Sequence, residues 1–139
     1  MRDSGYRAVG AAAAIFALAL STRWLYVHQT GDHPLRDIPI GPSIAHVERA
    51  AGAAAGFASL YDAVLRGVGG DYGLVRGVQV ALGAVNCVLA WALARAAGSR
   101  GVAIAAGLAA ALYSPALYFA GELLPPVLAT CLVLLSLLA

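Results

Sequence analysis

The apolar residues of this chain gather in long runs, with polar residues collected between them. VGAAAAIFALAL, residues 9–20, is the first run and extends through Arg23 to Val27, with Arg2 and Arg7 before it. GLVRGVQVALGAVNCVLAWAL, residues 73–93, is the second and ends at Arg95. A third begins at Val102, after RAAGSRG, and runs toward Pro115 and Phe119; a fourth starts near Leu123 and continues to Ala139. A helix crossing a hydrocarbon core needs roughly 20 apolar residues. The pattern therefore predicts spans at about 8–27, 73–94, 102–119 and 123–139. The expected fold class is all-α integral membrane, with about four transmembrane helices and two short interfacial helices in the loop 28–72.

That loop opens with HQTGDHPLRDIPIGP, whose Gly and Pro residues punctuate without periodicity and predict extended chain and turns. Ser43 is placed to cap a helix through roughly Ala55. Ser59 caps a second, with Asp62 three residues on in a capping-box pattern. Leu60, Val64 and Val68 share a face, and Gly67, Gly69 and Gly70 end the helix. Two helices lying on the membrane surface fit this pattern. Covering the ends of the spans is the plainer role.

Composition agrees with a bilayer as solvent. The 139 residues are 61% hydrophobic and 12% charged, about half the charge of a soluble domain. A formal net charge of +2 is too small and dispersed for nucleic acid. Cys87 and Cys131 fall inside apolar runs and read as small buried hydrophobes. Arg2 and Arg7 before the first span, and Arg95 and Arg100 in the short connection, put both places on the cytoplasmic side. The loop 28–72 is then outside, as in a bacterial inner or plasma membrane. A signal peptide is the rival reading of the first run, but Arg23-Trp24-Leu25-Tyr26 looks like an interfacial anchor rather than a mature N-terminus.

Polar residues within the runs carry the candidate chemistry. Arg76 lies near the outer end of the second span, where it can snorkel. Gln79, one turn deeper, calls for a protein interior or cavity, as does Asn86. Gly77, Ala81, Gly83 and Ala84 offer faces for close helix packing. In YFAGELLPPVLA, Pro115 upstream disfavours helix at Ser114 and bends or closes the third span. Pro125-Pro126 fit the first turns of the fourth span, where the backbone N–H groups have no intrahelical partner. Glu122 then precedes the positive end of that helix. We expect it at an outward-opening cavity near Arg76 and the Ser59–Val68 helix.

The order of these features resembles the N-terminal part of the GT-C membrane glycosyltransferases, which use polyprenyl-phosphate sugars and include protein O-mannosyltransferases and lipid A aminoarabinose transferases. The matching pieces are STRWLYVHQ ending the first span; ASLYD, residues 58–62, where the family has A-P-L-Y-P; the R-x-x-Q entry VRGVQVALGA; and YSPALYFAGELLPP, where it has Y-x-P followed by G-E-L-L. The resemblance covers nearly the whole chain through the order and spacing of weak motifs. It implies transfer of a sugar from a lipid-linked phosphate donor to an acceptor at the outer membrane face. A carboxylate base for the nucleophile would contribute roughly a hundred- to ten-thousand-fold. Pro42 occupies or neighbours the position where bacterial relatives carry that acid, and His46 falls near the expected aromatic.

The catalytic candidates are therefore Asp37, nearest the expected position, and Glu122 lining the cavity; Asp32, Glu48, His33 and His46 are lesser ones. Arg76, Gln79 and Tyr61 are the candidate substrate-binding residues. A divalent metal ion is a candidate cofactor for holding the phosphate, but His28, Asp32 and His33 do not form a known ligand spacing. Solvated loop and helix packing are the plainer readings of these residues. The expected partners are a lipid-linked sugar donor, membrane lipids, and either further spans of the same protein or a membrane partner. From Leu123 to Ala139 is 17 residues, about 26 Å of helix against a core of about 30 Å. This suggests the front piece of a longer protein, inactive alone. The alternative is a small non-catalytic four-span protein that packs against a larger partner.

Overall fold

A computed structural model describes residues 2–31, 48, 52, 60–67, 69, 71–121 and 126–139. The regular structure among them is entirely helical. Helix α1 spans Arg2–Gln29, α2 Leu60–Gly67, α3 Tyr72–Ala97, α4 Arg100–Leu112, α5 Ser114–Gly121 and α6 Pro126–Leu138. Tyr6–Gln29 and Gly73–Ala97 are long and apolar enough to cross a membrane. The third predicted span is divided into α4 and α5, and the fourth is the shorter α6.

Local signals explain most of the boundaries. Asp71 caps α3, its Oδ1 accepting from the Gly73 and Leu74 N–H groups at 2.8 and 3.1 Å. Ser99 caps α4 through Val102 N–H at 3.4 Å. Pro126 is the first residue of α6, as its missing N–H favours. Within the segment 28–72, Glu48 is helical and exposed. Gly52 turns with φ 77°, which interrupts the helix expected to run on to Ala55.

The break between α4 and α5 falls at Tyr113, which is extended at φ −67°, ψ 107°. This is one residue before the predicted position, and Ser114 is helical. In a continuous helix the N–H groups of residues 114 and 115 would bond to the carbonyls of Ala110 and Ala111. Pro115 has no N–H. Arg23 fills the gap from another helix: Nη2 donates to Ala110 O and Nη1 to Ala111 O, each at 3.3 Å, and Nη1 also to Ala19 O at 3.2 Å. A positive guanidinium at the negative end of α4 is favourable. The new helix restarts on the Tyr113 carbonyl, which accepts from Ala116 and Leu117.

Helix α3 is the centre of the bundle and packs on α1, α4, α5 and α6. Ile15, Ala19, Ala84, Cys87 and Ala111 form the core, with Phe16, Leu20, Val88 and Trp91 against it. Small residues bring the backbones together. A Cβ on Gly107 would meet Ile15 Cδ1 at 2.7 Å and Trp91 Cβ at 3.1 Å. One on Gly83 would meet Arg23 Nε at 2.6 Å. Gly77 and Ala81, expected to share that packing role, are exposed on another face of α3.

These contacts set the directions of the helices. Ile15, Trp91 and Gly107 meet toward one end, while Arg76, Gly121 and Tyr26 meet at the other. Helix α1 therefore runs antiparallel to α3, and Arg7 shares an end with Arg95 and Arg100. Asn86 Nδ2 donates to Val127 O at 2.9 Å. Helix α6 thus begins level with the middle of α3, about 15 Å along the axis from Arg76 at 1.5 Å per residue.

Candidate functional site

Arg76 and Gln79 project from the first turns of α3, one helical turn apart, and both are buried, at 5% and 3% exposure. Arg76 does not snorkel to solvent. Its Nε donates to the Gly121 carbonyl at the end of α5, at 3.1 Å. Gly121 also packs closely on Tyr26 of α1, whose Cε1 lies 3.2 Å from where a Cβ would stand. Helices α3 and α6, in the second and fourth expected spans, are neighbours, as the pairing of Arg76 with Glu122 assumed. The residue immediately before Glu122 is therefore held against Arg76. Glu122 itself lies outside the described residues.

Asp37, Asp32, His33, Pro42 and His46 also lie outside the described residues. Tyr61 is in α2, and its side chain is not described. Its neighbour Asp62, expected only as a capping-box acid, is fully buried and engaged with other groups. Among the described residues no three His, Cys, Asp or Glu side chains converge. His28 stacks on Trp24, the ring centroids 5.1 Å apart and the planes 10° from parallel.

Among the described residues, hollows lie on either side of α3. One, of about 610 Å³, lies between α1 and α3, where Arg76 shares the lining with Leu20, Trp24, Leu25, Val80 and the open positions Gly73 and Gly77. A cation in a cleft of mostly hydrocarbon walls suits an anionic group carried on an apolar chain. The other, also about 610 Å³, lies among α3, α4, α5 and α6 and is lined by Gly83, Asn86, Tyr113, Phe119, Val127 and Thr130, among others. It is largely apolar.

Arg23 is the residue whose role the sequence pattern most misjudged. Placed in STRWLYVHQ, it reads as an interfacial anchor, yet it is 2% exposed and bound to three backbone carbonyls. Trp24 beside it is 60% exposed and suits an anchoring role. The signal for Arg23 was present in two distant places: Pro115, which strips a donor from Ala111, and Gly83, which leaves room for the guanidinium. Asn86 likewise serves packing through Val127. No protein-family model, curated protein or solved structure matches the chain.

Proposed function

We propose that this chain is an integral membrane protein and supplies the front part of a glycosyltransferase that takes a sugar from a polyprenyl-phosphate donor at the outer face. The observation that carries the reading is buried Arg76 in the wall of an apolar-sided hollow between α1 and α3. A guanidinium suits a phosphate through charge-assisted hydrogen bonds, and the hydrocarbon walls suit the prenyl chain. Arg76 and Gln79 bind the donor, while Asp37 and Glu122 are the carboxylates that serve the acceptor. Membrane insertion is supported by the apolar exterior. Leu132, Val133, Leu135 and Leu137 of α6 are all between 48% and 61% exposed, a surface suited to lipid. The arginines Arg7, Arg95 and Arg100, gathered at one end, support a cytoplasmic placement of that end.

The test is photolabelling of the chain in proteoliposomes with a polyprenyl-phosphate sugar bearing a diazirine near its phosphate. Labelling is expected on α1 and α3 around Arg76, falling about tenfold in Arg76→Gln, as the loss of a charge-assisted hydrogen bond predicts. It should persist in Arg95→Gln. Labelling spread evenly over the lipid-facing side of α6, or unchanged in Arg76→Gln, rejects the reading. A non-catalytic four-span protein is the second reading. One observation favours it: Arg76 spends its Nε on a backbone carbonyl, a packing use that needs no ligand.

A further inference from the structure

Helices α4 and α6 both pack on α3 and hardly touch each other. The space between them is the largely apolar cavity of about 610 Å³, with Ala90, Ala109, Phe119 and Leu134 among its walls. Ala109, Phe119 and Thr130 are exposed and mark its mouth on the outer surface of the bundle. The charged residue in its lining is Arg23, 2% exposed. Its three bonds all go to neutral carbonyls and take three of the five guanidinium N–H groups. Nε is buried and has no partner. Cys87 lies beside the guanidinium, but its thiol donates to Gly83 O at 3.3 Å and is no counter-ion. Among the described residues no carboxylate pairs with Arg23. Buried charges are ordinarily paired, and one inside a membrane bundle calls for a partner.

We propose that this cavity is a site for a long-chain fatty acid, its carboxylate accepting from Arg23 Nε and its chain lying along α3 between α4 and α6. No bond that Arg23 already makes has to break, because the ligand takes a donor that is unused. A carboxylate on a guanidinium is a charge-assisted pair, and it supplies the missing counter-charge. Asn86 Oδ1, an unpaired acceptor one turn deeper than Gly83, repels an anion and keeps the head at the Arg23 end. Depth selects the lipid class. Arg23 stands six residues before the end of α1 at Gln29, about 9 Å down the helix. A phospholipid keeps its phosphate at the headgroup level, whereas a free acid sinks in its neutral form and ionises on meeting the cation. The wall from Gly83 to Ala90 then gives the chain about 10 Å of α3 to lie on. The site is independent of Arg76 and of the sugar donor; it requires only that the bundle sits in a bilayer.

The test is binding of palmitate, carrying carbon-13 at its carboxyl, to the full chain in phosphatidylcholine nanodiscs, with methyl palmitate and hexadecanol as competitors. The carboxyl shift in the NMR spectrum separates bound from bilayer acid and reports its ionisation. A bound fraction saturating at equimolar ratio to the chain is expected. It should stay ionised at a pH where palmitate in empty discs is protonated, because a neighbouring cation favours the charged form. Neither uncharged competitor should displace it. Arg23→Gln should weaken binding roughly tenfold or more, the worth of a hydrogen bond to a charged group. Ala109→Phe, at an exposed position of the mouth, should block binding and leave the fold intact. Displacement by methyl palmitate makes the cavity an unselective slot for hydrocarbon and overturns the proposal. So does a bound acid that titrates with the bilayer pool, or the absence of a saturable fraction. If Arg23→Gln does not fold, the wild-type titration and Ala109→Phe decide.

Discussion

Alanine at position 83 sets two opposed effects against each other, and their magnitudes decide the sign. Replacing a mid-helix glycine gains up to about 1 kcal/mol of helix propensity. At Gly83, however, the new methyl carbon would stand 2.6 Å from Arg23 Nε and 2.9 Å from its Cδ. These are atoms in the middle of a side chain whose tip is already tied to Ala19, Ala110 and Ala111. The chain cannot move aside without stretching those bonds. Overpacking of this kind costs about 1–3 kcal/mol, and loss of one hydrogen bond from a charged donor costs about 1.5–3 kcal/mol. The expected net effect of Gly83→Ala is a destabilisation of about 1.5–5 kcal/mol after the propensity gain. Gly77→Ala is the matched control. It lies on the same helix, and nothing comes within 4 Å of the added carbon. That variant should be neutral or up to about 1 kcal/mol more stable. Reversible unfolding in mixed micelles of increasing SDS fraction, followed through the fluorescence of Trp24 and Trp91, measures both variants. A Gly83→Ala protein as stable as Gly77→Ala would refute the argument that Arg23 is locked against α3.

Four further outcomes follow from the same packing and topology. Gly107→Ala should destabilise by about 1–3 kcal/mol through the clash with Ile15; Ile15→Val, which removes the obstructing Cδ1, should restore part of the loss in the double variant, and simple additivity would contradict the contact. Asp71→Ala should cost about 1 kcal/mol through loss of the α3 cap, while Asp71→Asn retains most of it, both read by the same SDS unfolding. A cysteine placed at Ser99 should resist impermeant maleimide added outside intact cells; ready labelling there would invert the topology. In a protein competent for transfer, Asp37→Asn should lower turnover by roughly a hundredfold or more with insertion intact; near-normal turnover removes Asp37 as the base.

The helices were legible because they leave a one-dimensional trace: long runs of apolar residues ended by arginines and glycines. The spans at 8–27 and 73–94 correspond to α1 and α3, and Pro126 opens α6 for the local reason that a first-turn proline loses nothing. The burial of Gln79 could also be anticipated, since an amide at that depth needs protein around it. What each polar side chain does with its donors depended on partners far away in sequence. Arg23 acts on carbonyls 87 and 88 residues away, left open by the break at Tyr113 and by the missing N–H of Pro115, and reached past Gly83. In a local window it is only a cation beside a tryptophan. Arg76 likewise resembles a snorkelling residue until α5 brings Gly121 against it. The same interplay moved the break to Tyr113, because the carbonyls of α4 had a replacement donor in another helix. Apolar periodicity is a property of each segment by itself, whereas the fate of a buried charge is decided by which backbone groups the assembled bundle leaves unpaired.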